Sequence, residues 1–305
     1  MGAPVAAREA DPGARAPGGP VPEGDAVWRT ARRLHQGLAG DRLEGSDLRV
    51  PAHATADLAG RRTIEVVPRG KHLLHRLEGD LTLHSHLRME GSWRVHPVGR
   101  RHALGARHTV RALLWTSSRV AVGDSLGMLD LVRTTEEHRV VGHVGPDLLD
   151  PGYDAAAALV NVLADPARTI TEACLDQRNV AGMGTIFTAE PLFVLGVSPW
   201  SPVGEVGAER VEEVLATARR MLVLSCRTGR TTITGRADVN ADDAWVHGRV
   251  GLPCKRCGTT VRLAPIGRQP QERVMFYCPS CQGGLSPTDD GARQTPLGHA
   301  RRRDV

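Results

Sequence analysis

The sequence predicts an α+β protein: a β-rich half led by one helix, joined to a helical half that closes in a four-cysteine hairpin. Three observations predict it. Glu23–Leu38 has helical apolar spacing. Short alternating runs broken by Gly, Asp and Pro fill residues 42–144. Helical spacing then returns after Pro146 and runs until two Cys-x-x-Cys pairs appear.

Taken in order, residues 1–21 (MGAPVAAREADPGARAPGGPV) hold no apolar periodicity and are expected to be disordered. They also lack the apolar stretch of a secretory signal. In Glu23–Leu38, Val27, Ala31, Leu34 and Leu38 share one face. Thr63–Val67, His72–Leu77, Leu81–His86, Arg111–Trp115 and Met128–Val132 read as strands of a β-sandwich or barrel. Two prolines and a glycine mark Pro146–Tyr153 as a linker. Helices are expected at Asp154–Leu163, Thr171–Leu175, Gly184–Leu195 and Glu209–Leu224, followed by a polar loop over Gly229–His247. The resulting organisation is a β-rich domain at 22–145, a linker at 146–153, a helical domain at 154–247, a cysteine hairpin at 248–285 and a disordered tail at 286–305. That tail ends in Arg301–Arg302–Arg303.

Composition sets bounds on partners. At 305 residues and 41% hydrophobic the chain can bury a core, and no apolar run is long enough to span a bilayer. With no export signal either, a cytoplasmic location is expected. The net charge of +5 suits an anionic partner. Aromatics are only 3%, which argues against stacked platforms for single strands. Only Lys71 and Lys255 are lysines among 39 basic residues, so each stands out against an arginine background.

Cys254-x-x-Cys257 and Cys278-x-x-Cys281 flank twenty residues that read as a β-hairpin. Four thiolates so placed suit one structural zinc ion; disulfides or a redox pair are disfavoured without export. Cys174 and Cys226 are expected to be buried packing thiols.

Five features occur in order: Val21-Pro22-Glu23-Gly24-Asp25 opening a helix; Arg69-Gly70-Lys71-His72-Leu73; His86-Leu87-Arg88-Met89-Glu90-Gly91; Leu175-Asp176-Gln177 with Gly182-Met183-Gly184; and the cysteine hairpin. Together, over about residues 21–285, they resemble the formamidopyrimidine-DNA glycosylase/endonuclease VIII family of base-excision repair enzymes. The second, actinobacterial type of endonuclease VIII is the nearest branch. The resemblance implies an N-terminal helix plus β-sandwich domain, and a C-terminal helix-two-turns-helix domain with a zinc-finger β-hairpin. It implies a bifunctional DNA glycosylase/AP lyase, with an alternative: a weak or inactive relative that only recognises damaged or abasic DNA. A zinc-finger regulator reading a sequence is a further alternative, but no recognition helix stands out.

The family's roles transfer residue by residue. Pro22 would be the nucleophile through its N-terminal secondary amine, Glu23 the proton donor to the sugar ring oxygen, and Lys71 a phosphate contact and acid. Arg273, at the finger's tip, would clamp the phosphates beside the lesion and stabilise the leaving phosphate. Arg88, Met89 and Glu90 would enter the gap left by the flipped nucleotide, Met89 as the apolar wedge, against core packing as its ordinary reading. The turn of Gly182 and Gly184, with Thr185, would hold a phosphate at a helix start; Gln177 and Glu190 would orient that turn and the amine. Family members usually carry Gly-Asn where this chain has Gly184-Thr185, which weakens that contact. The purine-specific Pro-Arg-Arg-Phe-Gly loop is replaced by Val122–Met128, which favours oxidised pyrimidines. The implied partner is double-stranded DNA with a damaged base or abasic site, single-stranded or bubble DNA being further candidates. The implied state is a monomer at the nucleoid, with both lysines on the DNA face.

Pro22 is not the first residue, and an amide nitrogen within a chain has no lone pair to give. The expectation is that translation starts at Val21, read by initiator Met that is then removed, leaving 284 residues from Pro22.

Overall fold

A computed structural model describes residues 22–234, 243–268 and 272–297. The prefix 1–21, with its expected start at Val21, and the arginine run at 301–303 lie outside the described residues.

The first half opens on α1 (Gly24–Leu38) and continues through β1 (Gly45–Leu48), β2 (Thr63–Arg69), β3 (His72–Leu77), β4 (Leu81–His86) and β5 (Ser92–Pro97). A short α2 (Arg101–Gly105), β6 (Val110–Trp115), β7 (Arg119–Asp124), β8 (Met128–Val132) and a one-turn α3 (His138–Val141) follow. The strands form two antiparallel four-stranded sheets, ordered β2-β3-β4-β8 and β1-β6-β7-β5. They enclose a core of Leu73, Leu77, Leu83, Leu48 and Leu114, into which α1 sends Val27, Ala31, Leu34 and Leu38. Each of these large side chains contributes about 1.5–3 kcal/mol by leaving water. The β-sandwich is thus the observed architecture, and α1 lies on it by the predicted face.

Strands β1, β5 and β7 carry no clear sequence signal. β7 lies between β6 and β5, and Val120 to Gly123 are all buried, so polar residues do not alternate along it. In β1, Gly45 passes under the Trp115 ring, which a Cβ there would meet at 2.2 Å.

The second half comprises α4 (Ala155–Leu163), α5 (Ile170–Leu175), α6 (Thr185–Leu195), a one-turn α7 (Val203–Val206) and α8 (Ala208–Thr228), then the hairpin of β9 (Arg262–Ile266) and β10 (Arg273–Tyr277). α8 runs one turn past the expected Leu224 and ends at Gly229, whose φ of +74° suits a left-handed stop. α6 is buried along most of its length and closely packed: Phe187 and Leu192 enter the helical core, while Ala189 and Phe193 meet Val261, Met275 and Phe276 of the hairpin. Cys174 and Cys226 are buried thiols, pushed up to about 12 by burial.

The tail expected from Ser286 instead folds back on the hairpin as far as residue 297. Asp289 accepts from Arg262 and, at 2.6 Å, from the Tyr277 hydroxyl, and the Gln294 amide pairs with both backbone groups of Leu263. Its Pro/Gly/Asp composition hid two side chains that supply the outer hairpin strand with partners.

Candidate active site

Pro22 and Glu23 immediately precede α1, and Glu23 occupies that helix's N-cap position without capping it. Its carboxylate reaches the other half of the chain, accepting from the backbone N–H groups of Gly184 (2.9 Å), Ile186 (2.8 Å) and Phe187 (3.2 Å). α6 needs this, because its own N-cap is Gly184 and supplies no side chain. The negative group also meets the positive end of the helix. Alongside, Gly24 donates to the Gly182 carbonyl at 2.9 Å. The approach admits only glycines: a Cβ on Gly24 would lie 2.9 Å from Gly182 Cα, and one on Gly184 2.5 Å from the Glu23 carboxyl carbon.

Lys71 sits partly buried on the two-residue turn between β2 and β3. That turn opens at Gly70, whose φ is +57° and whose N–H donates to Asp147 Oδ2 at 2.6 Å. Asp147 is buried, its other oxygen accepts from Leu149, and residues 147 and 181 form a parallel bridge. One carboxylate therefore ties the lysine's turn to the segment that delivers Gly182 and Gly184. Sequence reasoning passed over Asp147, because an Asp beside prolines reads as a turn former.

Burial pushes Glu23 up to about 7, against the Lys71 charge and the N–H bonds of Ile186 and Phe187, which pull it down. Burial pulls Lys71 below the ordinary lysine value; Arg273 adds to this and Glu23 opposes it. Lys71 thus feels both Glu23 and Arg273, each from a separate element. A carboxyl and an amine that act on one another and are both brought nearer neutrality are fit for proton transfer.

The other expected residues gather around them. Arg273 is exposed at the start of β10, beside a groove of about 570 Å³ also lined by Gln177, Arg168, Arg178 and Arg268. The Gln177 amide clamps the turn: its nitrogen donates to the Leu175 and Met183 carbonyls, and its oxygen accepts from Gly182 at 3.1 Å. Thr185, half-buried, is the first residue of α6. Arg88, Met89 and Glu90 form the exposed turn after β4; Met89 is 59% exposed, and Arg88 has φ +52°. Met89 is therefore not part of the core. Val122 to Met128 is only the end of β7, a tight turn and the start of β8, with no projecting loop.

One expectation is corrected. Glu190 does not reach the glycine turn; buried in α6, it accepts from the N–H groups of Trp245, Val246 and His247, fixing the entry to the hairpin. Lys255, exposed on the cysteine hairpin, donates to the Ala244 carbonyl at 2.9 Å. Arg256 donates to the Phe193 and Val194 carbonyls and closes the last turn of α6.

A histidine chain also escaped sequence reasoning. His72 Nδ1 and His84 Nε2 share a hydrogen bond of 2.8 Å, His84 Nδ1 lies 3.1 Å from Asp130 Oδ2, and His86 and His143 pack edge-on to His72. Burial, then neighbouring imidazoles, bring His72 down to about 3, so His72 packs uncharged beside Lys71. Its signal was positions 84 and 86 alternating on β4 opposite position 72.

The four cysteine sulfurs lie within 4.8 Å of one another, with Cys257 and Cys278 at 3.5 Å. That donor set can hold one metal ion.

A sandwich and a helical bundle joined through one helix's first carboxylate, with a cysteine hairpin behind, is the plan expected for a helix-two-turns-helix DNA glycosylase. Residues 21–125 match the formamidopyrimidine-DNA glycosylase N-terminal domain, and residues 144–237 the formamidopyrimidine-DNA glycosylase H2TH domain. The chain is 50% identical over 271 residues to "Probable endonuclease 8 2" of Streptomyces coelicolor, covering 89% of this chain and 97% of that protein. It is 41% identical to the "DNA-(apurinic or apyrimidinic site) lyase Nei2" of Mycolicibacterium smegmatis, covering 86% and 99%. Among solved structures, the formamidopyrimidine-DNA glycosylase of Thermus thermophilus matches with TM-score 0.71 at 28% identity, covering 87% of this chain and all of that one. The Lactococcus lactis enzyme, bound to DNA with an abasic site, shares the fold with TM-score 0.72 at 20% identity, covering 86% and 100%. The chain belongs to the formamidopyrimidine-DNA glycosylase/endonuclease VIII family, on its endonuclease 8 2 branch.

Proposed function

We propose that this protein is a bifunctional DNA glycosylase and AP lyase of base-excision repair, acting on oxidised pyrimidines and abasic sites in duplex DNA. The observation that carries this reading is the joining of Pro22–Glu23 to the glycine turn, with Lys71 in electrostatic reach of both the Glu23 carboxylate and Arg273. In the proposed sequence the Pro22 amine attacks C1′ of a flipped nucleotide, and the glycosidic bond breaks with its electrons leaving on the base, which takes up the proton that the amine sheds. Glu23 gives its proton to the ring oxygen, so the sugar opens as an iminium. Loss of the C2′ proton then expels the 3′ phosphate, and a second elimination expels the 5′ phosphate. Lys71 and Arg273 hold these phosphates, the guanidinium by two parallel hydrogen bonds. Met89 fills the vacated stack, between Arg88 and Glu90, while Thr185 faces a phosphate at the start of α6, where Glu23 already takes the Gly184 N–H. The absent purine loop supports the pyrimidine preference. Excision from matched duplexes bearing 5-hydroxyuracil, thymine glycol or 8-oxoguanine tests the reading: faster release of the two pyrimidines is expected, and no release of any base overturns it.

The metal we assign to Cys254, Cys257, Cys278 and Cys281 is one structural zinc ion. Four thiolates at about 2.3 Å from zinc stand about 3.8 Å apart, close to the spacing here. All four positions are taken by sulfur, so the ion's part is to hold the hairpin that carries Arg273. Cys254→Ser protein is expected to lose the zinc by elemental analysis and at least about tenfold in DNA affinity, while the sandwich stays folded. Unchanged binding after chelation would count against it.

A further inference from the structure

Away from the site above, α8 and the start of α4 enclose a groove of about 790 Å³. Leu215, Val223 and Leu224 line it, Tyr153 closes one end, and Arg219, Arg220 and Arg227 stand around it. It shares no lining residue with the groove at Arg273.

Three facts bear on what it holds. First, its lining holds three arginines and a single carboxylate, Glu212, and no ion pair is seen for these arginines among the described residues. Arg219 donates to the Leu148 carbonyl and lies 5.3 Å from the Tyr153 ring centre; Arg220 donates to Thr217 Oγ1. Second, the Tyr153 hydroxyl is shielded from solvent with no hydrogen-bond partner. Third, the arginines share α8 with Leu215, Val223 and Leu224, while α4 enters the groove only through Ala155. A DNA backbone has phosphates for the arginines but nothing apolar to cover the leucines and the valine. Basic groups interleaved with apolar ones along one helix suit a peptide that carries both carboxylates and apolar side chains.

We propose that this groove docks an acidic, apolar segment of a partner protein. Its apolar side chains seat on Leu215, Val223 and Leu224, and its carboxylates pair with Arg219, Arg220 and Arg227, each able to take a carboxylate through two N–H groups. Because the groove stands apart from the catalytic residues, the enzyme can be held by such a partner while those residues remain available to DNA.

Panning random dodecapeptides built from Asp, Glu, Lys, Leu, Ile and Phe against the full chain tests this. Acidic, apolar peptides are expected to be enriched, and to bind Arg220→Glu/Arg227→Glu protein at least about tenfold more weakly. The melting temperature and nicking of abasic DNA by that variant are expected to stay unchanged. Should the double reversal unfold, Arg220→Ala/Arg227→Ala replaces it with the same expectation. Enrichment without acidic residues, or equal binding to a folded variant, overturns the proposal. Loss of DNA binding by the folded variant also overturns it, since the groove would then be a phosphate surface. Failure of base excision in the parent protein leaves the peptide result standing, so the two readings fail separately.

Discussion

Protein that begins at Pro22 is expected to form a covalent adduct with abasic DNA that borohydride traps, and protein that retains residues 1–21 is expected to form none. In a chain, the Pro22 nitrogen is a tertiary amide whose lone pair is delocalised into the carbonyl of Val21. Freed as a terminus, it is a secondary amine that can attack C1′ and leave an iminium for hydride to reduce. Every other group around it is already in place without that amine: Glu23 is anchored on α6, and Lys71 is held by its turn. The extended protein is therefore expected to fold and bind damaged DNA while losing at least about 10³-fold in strand nicking, the scale on which removing a nucleophile is felt. Gel mobility of the trapped adduct, with N-terminal mass measured on the same sample, reads the outcome. An adduct formed by intact Met1 protein sinks the Pro22 assignment and moves the nucleophile to another amine, of which Lys71 is the nearest candidate.

Most of this arrangement was legible in the sequence, and the failures have physical causes. Strands in which polar and apolar residues alternate, such as β4 and β8, and the amphipathic α1 were legible because that alternation imposes a period, although β4 is itself buried from Thr82 to Ser85. β7 was not, its buried run Val120–Gly123 holding no polar side chain. Glu23, Lys71, Gln177 and the paired glycines were found through local motifs. Their convergence was invisible, since Glu23 and Phe187 stand 164 residues apart in sequence. Asp147 and the histidine chain depend on pairings between elements, which no local pattern encodes.

Replacing Glu23 by Gln is expected to slow base release by about 10²- to 10⁴-fold, the usual worth of a placed proton donor. Abasic sugar already opens to its aldehyde without a base to expel, so nicking of abasic DNA should fall less. The pH dependence separates a proton donor from a mere cap of α6. With Glu23 pushed up to about 7, its protonated fraction falls as pH rises through neutrality, and wild-type base release should show an alkaline limb there. The Glu23→Gln protein should lack that limb. Stability follows the same linkage with a definite sign: the folded value lies above the ordinary 4.5, so the protonated carboxyl's contribution is full below about 4.5 and is lost as pH rises through about 7. Relative to the Glu23→Gln protein, which cannot titrate there, wild type should lose melting temperature between about pH 5 and about pH 8. A cap acting only through its charge at the α6 terminus would give the reverse trend, gaining stability as it ionises. An alkaline limb preserved in Glu23→Gln protein would assign the proton to another group. The buried carboxylate would then be left the structural task of joining the two halves of the chain.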